Sequence, residues 1–131
     1  MAYLLDTSVF LNAIVAPERL NRRAQKLLSQ QAQTFFLSSA SSWEIAIKYA
    51  SGKLRIPDAP VQWVPAAMRR LGAHPLDISH QHALAVPDLP ALHQDPFDRI
   101  LIVQANAEEL VLLTSDRIFE KYSVEIFPCS P

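Results

Sequence analysis

Tyr3-Leu4-Leu5-Asp6-Thr7-Ser8 decides the fold. Three apolar residues run straight into a carboxylate and then into two hydroxyl residues. Tyr3 to Leu5 reads as a short buried strand, and Ser8 is the expected cap of a helix beginning at Val9. Asp6 therefore stands where a strand gives way to a helix. In open parallel α/β sheets that carboxyl edge is where ligands bind. A serine or threonine would cap the helix as well, so an acid at this point asks for a second purpose.

The pattern repeats outward from there. Thr34 to Leu37, Ala73 to Leu76, Val111 to Thr114 and Glu125 to Phe127 read as further short strands. Helices are expected over Val9 to Val15, from Pro17 to about Gln31, and from the serine cluster Ser38, Ser39, Ser41, Ser42 to Ala50, closing near Gly52. Others should run to Leu71, with Pro65 beginning or kinking the regular part, from Ser79 to about Val86, and from the Asp95-Pro96 cap to Glu109. Asp116 to Lys121 reads as a helical turn. The Asp95 helix is apolar nearly all round, so it should be central. Strands alternating with helices imply βαβ units: an α/β fold with a mainly parallel central sheet flanked by helices on both faces.

The bulk numbers bound the function. The chain has 131 residues, half of them apolar and 19% charged, with a net charge of −1. That is the make-up of one soluble globular domain, residues 1–131, burying roughly two-thirds of its unfolded surface. Near-zero net charge argues against a protein held to nucleic acid mainly by a global positive field, but not against one that binds locally through metal ions and a few basic side chains. No apolar run approaches the roughly 20 residues of a membrane span, and no signal-peptide pattern is present. The single cysteine, Cys129, has no internal partner, which suits the cytoplasm. Two glycines, Gly52 and Gly72, cannot build a glycine-rich phosphate cradle.

Four acids arrive at the same sheet edge. Asp6 follows the first strand, Glu44 opens the helix after the second, Asp98 lies in the first turn of the central helix, and Asp116 follows the fourth strand. Carboxylates gathered this way repel one another, and divalent cations relieve that repulsion. Oxygen donors without a His or Cys companion favour Mg²⁺, with Mn²⁺ as a substitute, over zinc. Each acid also has a plain structural use. Glu44 follows Ser41 at capping-box spacing and precedes Lys48 by one turn, Asp98 meets the helix dipole, Asp116 can cap its turn, and Asp95 reads as an N-cap.

Basic residues near the edge (Lys48, Lys53, Arg55, Arg99, Arg117) are candidate phosphate contacts. Trp43 and Phe97 lie in apolar helical patterns and read as core; Trp63 is open either way. His80 and His82 fall on different helix faces, and His74 and His93 lack a cysteine or histidine at ligand spacing, so the histidines do not read as zinc ligands.

Four blocks occur together and in order: Leu5-Asp6-Thr7-Ser8; Ser42-Trp43-Glu44-Ile45-Ala46-Ile47-Lys48 with Gly52-Lys53-Leu54; His93-Gln94-Asp95-Pro96-Phe97-Asp98-Arg99; and Thr114-Ser115-Asp116. In this the chain resembles PIN-domain proteins, and among them the VapC-type toxins of bacterial toxin–antitoxin pairs. The resemblance implies a Mg²⁺-dependent endoribonuclease whose catalytic and metal-binding quartet is Asp6, Glu44, Asp98 and Asp116. Asp6 and Asp98 would be the principal ligands, with Glu44 and Asp116 holding a second ion or a water. Thr7, Ser8, Thr114 and Ser115 would steady those ligands. It also implies a homodimer inhibited by a small VapB-like antitoxin whose C-terminal tail covers the site. The rival expectations are a PIN-fold RNA-binding or regulatory module without nuclease activity, and a PIN nuclease outside any toxin–antitoxin pair.

Overall fold

The computed structural model describes residues 1–131. Five strands, β1 (Ala2–Leu5), β2 (Thr34–Ser38), β3 (Ala73–Leu76), β4 (Val111–Thr114) and β5 (Ile126–Pro128), form one sheet. Every neighbouring pair is parallel, in the order β3-β2-β1-β4-β5. Six helices connect them: α1 (Thr7–Val15), α2 (Arg22–Leu28), α3 (Ser39–Ala50), α4 (Pro60–Leu71), α5 (His80–Ala85) and α6 (Pro96–Ala107). The single α/β fold expected from the strand–helix alternation is the one found.

Alternation along the strands builds the two faces. Tyr3, Leu5, Leu37 and Leu113 point into a larger core with Phe10, Leu27, Ile45 and Trp63. Leu4 and Leu112 point the other way, onto Leu101, Ile102 and Ala105 of α6 and onto Phe119. Six consecutive residues of α6, Ile100 to Ala105, are buried, as the all-round apolar pattern required. Trp63 is core too, edge-on to Phe10 at 6.2 Å between ring centres.

Register positions the site. Leu5 pairs with Leu37 on one side and Leu113 on the other, so Asp6, Ser38 and Thr114 leave the sheet at one level. The chain runs outward to β2 and β3 on one flank of β1 and to β4 and β5 on the other. Asp6 thus sits at the switch point of the sheet, where crossover connections diverge and a crevice opens.

Some local expectations were displaced. Ser8 is not the first cap: α1 begins at Thr7, and Asp6 itself is the N-cap. Pro17–Arg19 forms a 3₁₀ turn, and α2 starts only after Asn21, whose side chain accepts from Ala24 N. α2 stops at Leu28, because Ser29 to Gln33 offers no further apolar repeat. Pro65 lies inside α4 without ending it. The carbonyl it leaves without an N–H donor belongs to Val61, which is 80% exposed and free to bond water. α6 ends two residues before Glu109, which takes a left-handed φ of 55° in the turn into β4. No helix is long and apolar enough to cross a membrane.

Candidate active site

Asp6 is held from two sides. Its Oδ1 accepts from Thr7 N at 2.8 Å and its Oδ2 from the Thr114 hydroxyl at 2.7 Å. Thr114 Oγ1 in turn accepts from Asp116 N at 3.0 Å, coupling the end of β1 to the end of β4. Only 6% of Asp6 is exposed, and it has no cationic partner. Burial pushes its carboxyl up to about 7; the Thr114 and Thr7 hydrogen bonds oppose the rise, while the Asp98 and Glu44 charges add to it.

Glu44 arrives on α3. Ser38 is the N-cap there, accepting from Ala40 N at 3.0 Å, so the expected Ser41–Glu44 capping box does not form. Ser41 instead accepts from the Thr7 hydroxyl at 2.8 Å and pins α3 to α1. This turns Glu44 inward (7% exposed), with Lys48 Nζ 2.6 Å from its Oε2. The helix ion pair suggested by the spacing is present. That bond raises the Lys48 pKa, with Asp95 and Asp98 acting further off in the same direction.

Asp98 comes from the first turn of α6. Asp95 caps that turn, its Oδ1 accepting from Phe97 N at 2.9 Å. The Asp98 Oδ2 lies 2.7 Å from His93 Nε2. Burial raises the Asp98 pKa; the His93 contact opposes this, while the neighbouring Asp95 and Glu44 charges reinforce it. Asp116 is more exposed and caps the turn Arg117–Lys121 through Ile118 N at 3.0 Å.

These groups line one cleft of about 240 Å³ with Asp6, Glu44, Asp95, Asp98 and Asp116 on its walls, alongside Lys48, Thr7, Ser8 and Leu11. Five carboxylates face one lysine. The excess of negative charge and the all-oxygen character of Asp6, Glu44 and Asp116 fit a hard divalent cation. Of the residues expected to steady the acids, Thr7 and Thr114 do so by hydrogen bonds, and Ser8 is on the cleft wall. Ser115 instead buries its hydroxyl beside a neighbouring cavity that it shares with Asp116 and Arg117.

The other basic candidates divide. Arg55 lines a groove that shares Ser8 and Leu11 with the cleft. Arg99 is not free for phosphate. Its guanidinium donates to the carbonyls of Pro90, His93, Val86 and Leu89 and to the Tyr122 hydroxyl, at 2.9 to 3.4 Å. It staples the 86–95 loop to α6. Trp43 is not core but 61% exposed, because α3 buries the stripe Ala40, Ser41, Glu44, Ile45; its ring meets the half-buried Phe97 edge-on at 5.2 Å. Cys129 is buried, which pushes its thiol up to about 12, so it is no nucleophile.

His93 has no cysteine or histidine at ligand spacing in the sequence, yet the fold gives it carboxylate companions in Asp98 and Asp95. Nothing in the spacing reveals them. Arg99, with the Tyr122 hydroxyl on Pro90 O, gathers the carbonyls of the loop that carries His93. His82 is occupied elsewhere, completing a capping box with Ser79 and contacting Glu108 at 3.0 Å.

A parallel sheet with a carboxylate cleft at its switch point defines an α/β protein with the donor chemistry to take a hard divalent cation. This chain belongs to the PIN-domain family, whose model matches residues 3–125. A 49-residue stretch is 49% identical to Ribonuclease VapC16 of Mycobacterium tuberculosis, covering 37% of this chain and 35% of that protein's length. The fold is similar to VapBC2 from Rickettsia felis bound to a DNA fragment from their promoter (TM-score 0.75, 19% identity, 99% of this chain and 100% of that one). It is also similar to DNA-bound VapBC from Salmonella typhimurium (TM-score 0.72, 18% identity, 98% of each chain) and to FitAcB from Neisseria gonorrhoeae (TM-score 0.66, 18% identity, 97% and 96%). At those identities the likeness concerns the fold.

Proposed function

We propose that residues 1–131 form a Mg²⁺-dependent endoribonuclease domain of the VapC type, acting in the cytoplasm and restrained by a small antitoxin. The observation that carries this reading is Asp6: a carboxylate 6% exposed, without a cationic partner, with Asp98 and Glu44 close enough to raise its pKa. A fold keeps such a group at a cost unless a bound cation offsets it.

Asp6 and Asp98 would hold the ion, with Glu44 and Asp116 as further ligands or water-holding groups. When bound, Mg²⁺ lowers the pKa of water and offsets charge on a phosphodiester during in-line hydrolysis. The chain's own residues do the rest. Thr114 and Thr7 fix both oxygens of Asp6, so the ligand does not reorient as it binds. Glu44 Oε1, the oxygen away from Lys48, is available to accept a proton from the attacking water. Lys48, its side chain 50% exposed, can pass from Glu44 to a phosphate oxygen.

An antitoxin partner is proposed from the VapBC and Klebsiella pneumoniae toxin–antitoxin complexes with similar folds, and a homodimer from the resemblance to VapC-type toxins alone. A second reading, a PIN-fold module without nuclease activity, draws on the partners that Glu44 and Asp98 already have in Lys48 and His93. Partner-free protein incubated with total RNA separates them. Discrete fragments are expected with Mg²⁺, and none with excess EDTA or with Asp98→Asn. Intact RNA in the Mg²⁺ reaction of a folded protein, across several RNA pools, sinks the nuclease reading. A PIN nuclease outside a toxin pair is the conclusion if cleavage persists and no antitoxin gene adjoins this one.

A further inference from the structure

We propose that His93, Asp95 and Asp98 form a three-donor site for a borderline transition dication of the Mn²⁺–Zn²⁺ series, sharing Asp98 with the position read above for Mg²⁺. The proposal rests on the cleft holding a cation, and not on its cleaving RNA.

The geometry comes first. One donor atom from each of the three residues lies within 4.8 Å of the other two. Neighbouring ligands at about 2.0–2.2 Å from an ion lie roughly 3 to 3.6 Å apart, so side-chain rotations that move donors by about an ångström close the site. The Asp95 Oδ1 is occupied by the backbone of α6, leaving Oδ2 to ligate. Asp98 belongs to both groups: it lines the same cleft as Asp6 and Glu44 and also stands within reach of His93 and Asp95.

The second observation is the imidazole itself. The His93 ring is 25% exposed and makes one hydrogen bond, to Asp98. It packs in neither core cluster. Its backbone is nonetheless held tightly, with the carbonyl accepting from Arg99 at 3.1 Å. The loop is stapled down and presents a ring with no partner other than a carboxylate of the cleft. To ligate through Nε2 the ring carries its proton on Nδ1, which has no hydrogen-bond partner in the protein to oppose that tautomer.

The chemistry follows from donor type. Mg²⁺ takes oxygen and water, and gains little from a nitrogen donor. Along the first-row series, affinity for a site containing imidazole rises toward Zn²⁺. One histidine beside two aspartates therefore shifts ion preference without disturbing the oxygen ligands of Asp6. Ion identity in this chain becomes a property of the loop before α6.

The test needs no RNA. EDTA-stripped wild type, His93→Gln and Asp95→Asn are titrated calorimetrically with Mg²⁺, Mn²⁺ and Zn²⁺, each variant first melted to verify folding. Wild type should bind Mn²⁺ and Zn²⁺ at least about tenfold more tightly than Mg²⁺. His93→Gln should lose about tenfold or more for Mn²⁺ and Zn²⁺, the scale of a lost metal contact, while Mg²⁺ affinity stays within about twofold. Pulsed EPR of the Mn²⁺-loaded wild type should show coupling to an imidazole nitrogen. Equal losses for all three ions would mean that His93 only positions Asp98, and the proposal fails. Bound Mn²⁺ without nitrogen coupling overturns it too, and that measurement decides alone if His93→Gln does not fold. Nitrogen coupling in a protein that leaves RNA intact keeps this site and discards the nuclease; Mg²⁺-driven cleavage without the coupling does the reverse.

Discussion

Replacing Asp6 with asparagine should make the metal-free protein more stable, by an amount that grows with pH. The Asp6 carboxyl is lifted from 3.8 to about 7 by burial. Between those values the folded state keeps a proton that the unfolded chain has released. Stability from this group is thus fully present below the unfolded pKa and is lost as pH rises through the folded one. At 1.36 kcal/mol per unit, the ionised group costs the fold about 4 kcal/mol at pH 8 but only about 2 kcal/mol at pH 5. Asparagine has the same shape and no charge. Its Oδ1 can still accept from Thr7 N, and its amide can donate to Thr114 Oγ1, whose own hydrogen is free to rotate away.

The expected quantity is therefore a difference of differences. Asp6→Asn should gain about 2 to 3 kcal/mol over wild type between pH 5 and pH 8, whatever constant offset the amide adds from packing. For a chain of 131 residues that corresponds to a relative rise in melting temperature of about 7–11 °C. Urea unfolding in EDTA at the two pH values measures it. Adding Mg²⁺ should reverse the order, because wild type gains binding free energy that the variant does not. A stability difference that stays flat from pH 5 to pH 8 would refute the reasoning: Asp6 would then carry no burial penalty for a cation to relieve.

Two further substitutions probe the supports. Thr114→Val keeps the shape but deletes the buried donor to Asp6 Oδ2 and the partly buried acceptor of Asp116 N. It should cost about 1 to 3 kcal/mol at pH 8 and less at pH 5, with Mg²⁺ affinity falling about tenfold or more; urea unfolding and calorimetry read the two effects, and an unchanged Mg²⁺ affinity counts against Thr114 as a support. Arg99→Met removes the staple that gathers four loop carbonyls. It should destabilise by about 2 to 4 kcal/mol and raise hydrogen exchange in residues 86–95 while leaving that of β1 and β2 unchanged; exchange as slow as wild type in the loop would show that the staple is dispensable.

Much of this was legible in the chain because it is local. The strand ends, the serine-rich start of α3 and the Asp95-Pro96 start of α6 are properties of a few adjacent residues. In a parallel sheet the carboxyl edge follows from strand direction alone, so acids placed just after strands had to meet. What was not legible is long-range. Thr7 reaching Ser41 and Arg99 gathering carbonyls from Val86 to His93 depend on where helices pack, and periodicity is silent on that. The errors share this source. Ser41 at capping spacing before Glu44 was a plausible local reading that lost to the hydroxyl across the helix interface. Trp43, apolar in an apolar run, reads as inward, but α3 packs through Ala40, Ser41, Glu44 and Ile45, which leaves its bulkiest residue on the outer side.

The same contrast explains how the cleft tolerates its charge. Glu44 and Asp98 each have a partner on their own element or the loop leading to it, Lys48 one helical turn on and His93 five residues back. Lys48 offsets the charge of Glu44, whereas His93 offsets only part of the burial that raises the Asp98 pKa. Asp6 has only hydrogen-bond donors, and these come from Thr7 beside it and Thr114 at the end of another strand. Hydrogen bonds orient a carboxylate but leave its net charge in place, so the burial penalty of the cleft is largest on the acid at the switch point, with Asp98 carrying a smaller share. A cation entering there recovers the most by meeting Asp6 first. Removing Lys48 or His93 would take a partner from one acid, whereas changing Asp6 removes the burial penalty itself and with it the largest part of what a cation contributes to the fold.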